Sequence, residues 1–353
     1  MAPSQATLWG FGRTIALEHP ALRCTLIDLD PDDGAGDASV LSEICRADGI
    51  EDALALRSGK VYLPRLARTT LDSSPLSIRG NGTYLIAGGL GAIGLTVARW
   101  LVTQGARYLV LVGRSDPSES TQSILSELHG AGATVVSMRA DISRREDVAR
   151  ILDQVDRELP PLCGVLHAAG ILDDGVTTHL SAQRLRAVMA PKVDGAWHLH
   201  ELTRERNLDC FVLFSSAAAL LGSPGQAHYA AANAFLDALA HQRRAVGLPA
   251  LSINWGPWAE VGLAASQRNR GQRLALQGIG SLTRAQGLQA LSFLLGQPAP
   301  QVAVVAFNLR QWREFHLPTA DTPLLSELAR DERGQPGAPA DDRQVLDALA
   351  EIE

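Results

Sequence analysis

TYLIAGGLGAIGLTVARWL, residues 83–101, runs from an apolar strand through a glycine turn straight into an amphipathic helix. Gly88, Gly89, Gly91 and Gly94 form the turn, with Leu90 and Ile93 between them, and Ile93, Val97 and Leu101 repeat at the spacing of one helix face. Glycine at such points permits a tight turn, close backbone approach to a pyrophosphate and close packing of helix on strand. The helix start adds unpaired N–H groups and a partial positive charge suited to phosphate. A bare GxGxxG is weak evidence and also fits a purely structural turn. The strand before it and the helix after it give the context that a dinucleotide site requires.

Outward from this turn, strand-like and helical stretches alternate. YLVLVG (108–113), TVVSM (134–138), GVLHA (164–168), FVLFS (211–215), ALSIN (250–254) and VAVVAF (302–307) are apolar runs with helical segments between them. Such runs are what a parallel sheet covered on both faces needs, so the expected fold is α/β, a Rossmann-like doubly wound parallel sheet. The second strand ends in Gly113, Arg114 and Ser115, with Arg114 twenty residues beyond Gly94. An acid near this point selects NAD, whereas an arginine accommodates the 2′-phosphate of NADP. No acid occupies 113–115, and Asp116 precedes Pro117 as in a turn, so the reading favours NADPH. The alternative for Arg114 is a plain surface arginine. Asp141, beside Ile142, is read either as an acceptor for the adenine amino group or as the cap of the next helix. Ala168, Ala169 and Gly170 place small residues where a nicotinamide ribose would lie.

Length and composition bound the rest. At 353 residues and 37.6 kDa the chain is long enough for about two compact units. Its 32 basic and 38 acidic residues give a net charge of −6, which argues against binding nucleic acid by bulk electrostatics. No apolar run reaches the roughly 20 residues of a membrane span. The N-terminus, MAPSQATLWGFGR, lacks the layout of a secretory signal. Cys24, Cys45, Cys163 and Cys210 are widely spaced and read as small buried residues in a reducing cytoplasm. The basic residues include only two lysines, Lys60 and Lys192, which makes each a place where a titrating amine could be required.

Residues 6–68 read as a short α/β piece too small to stand alone, with a helix over ATLWGFGRTIALEH, strands at 24–30 and 60–67, and a helix over 38–47 between them. At the other end, ARDERGQPGAPADDR reads as a linker, with a new helix starting at VLDALAEIE.

Four residues suggest the chemistry. Tyr62, Tyr84 and Tyr108 fall in strand-like runs and read as core; Tyr229 alone opens a helix, and Asn233 follows one turn later on the same face. Ser215 and Ser216 end the fifth strand, Ser216 thirteen residues before Tyr229, at the sheet edge where ligands bind in open α/β folds. Lys192 follows Pro191 in a helical segment. Reducing a ketone takes a hydride to carbon and a proton to oxygen. A tyrosine hydroxyl can give the proton and a serine hydroxyl can hold the carbonyl. A free tyrosine has a pKa of about 10, so a nearby ammonium is needed to favour the phenolate. Lys192 fits that role, directly or through Asn233 and a water relay. Taken singly, Ser216 is also a strand-end cap, Asn233 a helix polar residue and Lys192 a surface charge.

Over nearly its whole length the chain resembles the ketoreductase domain of modular type I polyketide synthases, within the short-chain dehydrogenase/reductase superfamily. The resemblance rests on LWGFGRTIALEHP, GGLGAIG, HAAGILDD, MAPKVDGAWHLHELT, FSSAAALLGSPGQAHYAAANAFLDALA and NWGPWAEVGLA. In simpler members of the superfamily the lysine follows the tyrosine by four residues. Here Asn233 stands there and Lys192 comes from another helix, an exchange this family is known for. The resemblance implies a tetrad of Ser216, Tyr229, Lys192 and Asn233. It also implies a β-ketoacyl substrate on the phosphopantetheine of an acyl carrier protein, and other domains of the same synthase as partners.

Leu172, Asp173 and Asp174 match the signature of B-type domains, which give the D-β-hydroxyl; the alternative is a solvated loop. Leu221 stands where A-type domains carry tryptophan, and Ala231 where epimerising B-type domains often carry proline, so the expected product is D without epimerisation. The resemblance divides the chain into a shortened structural, degenerate Rossmann subdomain (1–72), a catalytic NADPH-binding subdomain (79–318) and a linker toward an acyl carrier domain (319–353). The first is either a trimmed piece or a shortened version, since the family's earlier strands are missing. Residues 258–280 match the family's lid, with Gly262, Gly271, Gly278 and Gly280 suited to movement. Two other functions compete: a free-standing reductase of a diffusible ketone, and a catalytically silent scaffolding domain.

Overall fold

The computed structural model describes residues 2–30, 41, 42, 44, 51–70, 76–262, 270–316 and 322–334. The fold is α/β, built on a seven-stranded parallel sheet. Its strands are β4 (Thr83–Ala87), β5 (Tyr108–Gly113), β6 (Thr134–Arg139), β7 (Leu162–His167), β8 (Cys210–Ser216), β9 (Leu251–Trp255) and β11 (Gln301–Val304), in the order β11-β9-β8-β7-β4-β5-β6. Strand order reverses between β4 and β7, where Ala87 pairs with Val112 on one side and His167 on the other. A crevice opens at the C-terminal ends of strands at such a reversal.

Alternation along each strand feeds two cores. Tyr84, Ile86, Leu109 and Leu111 face one way, against Val97, Ala98 and Leu101 of α2 (Ala92–Thr103) and Leu291 and Leu294 of α10 (Arg284–Leu294). Leu85, Ala87, Val110 and Val112 face the other. There they meet Val148, Ile151 and Val155 of α4 (Arg145–Glu158), Ala196 and Leu199 of α6 (Val193–Thr203), and Phe235, Leu236 and Leu239 of α8 (Ala227–Ala245). The apolar runs of the sequence are explained by this burial on both faces.

The N-terminal piece contains α1 (Pro3–Glu18) and a small sheet, β1 (Leu26–Asp28), β2 (Ala53–Arg57) and β3 (Lys60–Tyr62). Strand β2 is additional to the strands expected from sequence. Its signal is the alternating ALALR followed by Ser58-Gly59, whose φ angles of 50° and 71° make the two-residue turn that joins it to β3. Tyr62 is 54% exposed on that edge strand, so the core reading of this tyrosine is corrected; Tyr84 is buried. Helix α1 lies on α8. A Cβ on Gly10 would stand 2.5 Å from the Ala230 carbonyl carbon, so the two backbones touch.

VAVVAF divides into β11, at the edge of the main sheet, and β12 (Ala306–Phe307), which pairs antiparallel with β10 (Ile279–Gly280). The stretch from 319, read as linker, is in part folded. A 3₁₀ turn over Pro323–Leu325 and α12 (Ser326–Gly334) bury Leu325 and Ala329 with Ile279, Leu309 and Trp312. Leu66 N–H donates to Leu324 C=O at 2.8 Å, and the Thr322 hydroxyl reaches Asp52 at 2.5 Å. These ties explain why residues 322–334 pack against the rest of the fold. The helix expected from 345, most of the helix expected over 38–47, Cys45 and part of the lid (263–269) lie outside the described residues.

Candidate active site

The glycine turn follows β4 at the crevice. Gly88 has φ of 78°, and a Cβ there would stand 2.7 Å from Ala169 N. Gly94 is equally constrained, with Gly89 Cα 2.6 Å away. Gly91 differs: it caps α2, is exposed, and a Cβ would meet only Gly88 O at 3.3 Å. Two glycines thus let the turn pack, and the third keeps the space over the helix N-terminus clear, as a pyrophosphate cradle requires. The residues present fit a dinucleotide.

Arg114 and Ser115 are exposed just beyond β5, and Asp116, also exposed, pairs with Arg139 at 3.3 Å. Asp141 Oδ1 accepts the Ser143 N–H at 3.0 Å and its hydroxyl at 2.7 Å, closing a turn ahead of α4 without capping that helix, whose N-cap is Arg144. Asp147 accepts the Asp141 N–H at 2.8 Å and is held below the usual carboxylate range by that bond and by Arg150. Ile142 is buried against Gly195, and its C=O lies 3.2 Å from His198 Nδ1. Ala168 continues β7, its N–H donating to Ala87 C=O at 2.8 Å.

The structure brings Lys192 and Tyr229 together. Lys192 stands at the N-cap of α6 and is 3% exposed; its Nζ lies 5.7 Å from the Tyr229 ring centroid and donates to Phe214 C=O at 2.8 Å. Gly170 faces the same amine, since a Cβ there would stand 2.9 Å from Lys192 Cε. Burial pushes the lysine pKa down to about 7, against the opposing pull of the Asp237 charge. His167 is fully buried and is pushed to about 3 by burial and by the Lys192 charge, so it stays neutral.

Asn233 is fully buried one turn beyond Tyr229. Its Nδ2 donates to Tyr229 C=O at 2.8 Å, and its Oδ1 has no hydrogen-bond partner among the described residues. Ser216 ends β8 half-buried, its Oγ accepting the Ala218 N–H at 3.2 Å. Beneath them lies a polar network that sequence reading passed over. Asp237 Oδ1 accepts from Ser252 Oγ at 2.6 Å and Oδ2 from Asn254 Nδ2 at 2.7 Å. Asn254 Nδ2 also reaches Ser215 Oγ at 3.0 Å and Ser216 C=O at 3.2 Å. The signal for Asp237 was its place two turns beyond Tyr229 on the same helix face.

The 172–174 loop lies at the surface, with Asp174 exposed and Asp173 partly so, and Arg184 and His228 tether it. Arg184 grips Asp173 with two bonds of 2.7 Å and Asp174 C=O at 2.8 Å, and the guanidinium holds the Asp173 carboxyl below its usual range. His228, beside Tyr229, donates to Asp173 C=O at 2.8 Å. Leu221 and Ala231 lie elsewhere. Leu221 packs toward Trp312 and Leu325, and Ala231 is buried where α1 crosses α8.

Sheet order, glycine turn and crevice define a Rossmann-like fold of the short-chain dehydrogenase/reductase kind. The family model described as KR domain matches residues 82–260, and a second, described as polyketide synthase extender module SpnB, Rossmann fold domain, matches residues 1–66. The chain belongs to the KR domain family, the ketoreductase domains of modular polyketide synthases.

Among curated relatives, polyketide synthase GfsA of Streptomyces halstedii is 40% identical over 92% of this chain. Spectinabilin polyketide synthase system protein NorB of Streptomyces orinoci is 43% identical over 77% of it. The chain spans only 4% and 12% of those two proteins. Among solved structures, an A-type ketoreductase from a modular polyketide synthase shares 38% identity with a TM-score of 0.88, covering 93% of this chain and 69% of that one. A C2-type ketoreductase shares 33% with a TM-score of 0.84, covering 92% and 70%. No helix among the described residues is long and apolar enough to cross a membrane.

Proposed function

We propose that this chain is an NADPH-dependent reductase that converts a β-ketoacyl thioester, carried on the phosphopantetheine of an acyl carrier protein, to the D-β-hydroxyacyl thioester. The observation that carries the reading is the buried Lys192 amine beside the Tyr229 ring, with Asn233 one turn along the same helix.

Gly88, Gly89, Gly91 and Gly94 hold the pyrophosphate, Arg114 takes the 2′-phosphate, and Ala168 to Gly170 leave room for the nicotinamide ribose. When bound, the reduced nicotinamide supplies a hydride for the carbonyl carbon. Ser216 Oγ donates to the carbonyl oxygen and orients it. Tyr229 gives that oxygen its phenolic proton, completing the alcohol and leaving a phenolate. The Lys192 ammonium stabilises the phenolate, because an opposite charge close by favours the ionised form. Asn233 Oδ1, an acceptor still to be satisfied, suits a relay that returns a proton to the tyrosine. Similar solved structures include A-type and C2-type domains, so overall likeness does not set the stereochemical class. The D assignment is supported by Leu172, Asp173 and Asp174.

The test uses the purified chain, a β-keto thioester and either NADPH or NADH. The reduced nicotinamide absorbance is followed, with chiral analysis of the product. Turnover faster with NADPH, a mainly D product, and a fall of about 10²–10⁴ in kcat for Tyr229→Phe with cofactor binding retained are expected. A near-wild-type rate for the variant removes Tyr229 as proton donor. Mainly L product removes the stereochemical assignment, and a flat trace from folded protein favours the scaffolding reading.

A further inference from the structure

The last turn of α1 reaches the rim of the site. Glu18 is half-buried, and both its carboxylate oxygens are engaged. Oε2 accepts the Thr177 N–H at 2.8 Å and the Thr177 hydroxyl at 2.7 Å, while Oε1 accepts the Gly225 N–H at 2.6 Å. Thr177 stands three residues beyond Asp174, and Gly225 stands two residues before Ala227, where the Tyr229 helix begins. The two loops also meet each other. Gly175 N–H donates to Gly225 C=O at 2.8 Å, and Gln226 Nε2 donates to Asp174 Oδ1 at 2.9 Å. His19 Nε2 lies 3.1 Å from Thr177 Oγ1.

The residue type matters here. An ionised carboxylate only accepts and has two equivalent oxygens, so it can take donors from two directions at once; an amide has one acceptor oxygen and one donor end. Burial alone would raise the Glu18 pKa, but the bonds from Thr177 and Gly225 together hold it below the usual range, so the group is charged at neutral pH. Its donors are two main-chain amides and one hydroxyl, so what holds the carboxylate in place is the two loops themselves.

We propose that Glu18 is a positioning residue whose carboxylate buckles the Leu172–Asp173–Asp174 loop to the loop ahead of Tyr229, fixing which face of the ketone is presented. The N-terminal unit thereby takes part in the stereochemical outcome through one side chain. The inference rests on the reductase reading, because product configuration is one of its readouts.

The test is Glu18→Gln in the full chain. Glutamine keeps one acceptor oxygen, so one of the two loops loses its anchor. Hydrogen exchange should rise in 172–178 or 222–226 and stay unchanged in the glycine turn. The D-to-L product ratio should fall about tenfold, which corresponds to about 1.4 kcal/mol of lost discrimination between the two faces. KM for the thioester should rise while NADPH affinity holds. Thr177→Val, which removes only one hydroxyl, should shift the same readouts by less. If Glu18→Gln fails to fold, Thr177→Val decides by the same signs. Wild-type exchange in both segments, or altered exchange with an unchanged product ratio, overturns the proposal even if the melting temperature drops. If the wild-type chain reduces no β-keto thioester, the reductase reading and the stereochemical role built on it both fail, while the exchange data still show whether the buckle exists.

Discussion

At 3% exposure, Lys192 has given up the water that solvates an ammonium, and its pKa sits near about 7 instead of the ordinary lysine value. The folded-state pKa lies below that of the unfolded chain, about 10.4. Below pH 7 the folded state carries the full cost of a buried charge. Between pH 7 and about 10.4 the unfolded chain binds more protons than the folded one, so wild-type stability gains with rising pH. Lys192→Met removes this term. The variant should therefore melt above wild type near pH 7, with the gap narrowing toward pH 10, and should be inactive with normal folding. Paired thermal melts across that range check it; a gap that does not change with pH shows that the amine carries no such cost. Tyr229, Asn233 and Ser216 were legible as types at a spacing. The depressed lysine was not, because burial is a property of the packed fold.

On the scale of elements, the approach of α1 to α8 decides how the Tyr229 helix is seated. Gly→Ala inside a helix ordinarily stabilises by about 1 kcal/mol, since glycine loses more backbone entropy on folding. At Gly10 the sign should reverse. The added methyl would meet the Ala230 carbonyl, one residue from Tyr229, and backbone cannot step aside. Gly10→Ala should cost about 1–3 kcal/mol and lower turnover. Gly12→Ala meets only the tip of Leu26, at 2.5 Å, and should be nearly neutral, because a flexible side chain can give way. Denaturant unfolding of both variants compares them; equal effects would mean that the helices separate easily. The strands and helices of the main sheet were readable from periodicity. Strand β2 was not, because the alanine-leucine run at 53–56 carries no β-branched or aromatic residue and reads equally well as helix.

For the molecule as a whole, the N-terminal piece and the segment after 321 are tied to the catalytic unit and to each other. Leu66 bonds Leu324, Thr322 bonds Asp52, and Arg13 Nη1 donates to Ala219 C=O at 2.5 Å. A piece of that size buries too little surface to be stable alone. The described parts should therefore unfold in one cooperative calorimetric transition. An earlier, separate transition assigned to residues 1–70 by hydrogen exchange would show instead that the N-terminal unit is only loosely held.

Chain order alone dictated the alternating apolar runs, the glycine turn and the residue types able to reduce a ketone, because these follow from local backbone sterics and from spacing along a helix or strand. Packing decided the rest. It set the depth of Lys192, the polar network under Ser216, the grip of Arg184 on Asp173 and the reach of Glu18 across two loops. Each joins residues far apart in sequence, and such distances are fixed only when the layers close on one another.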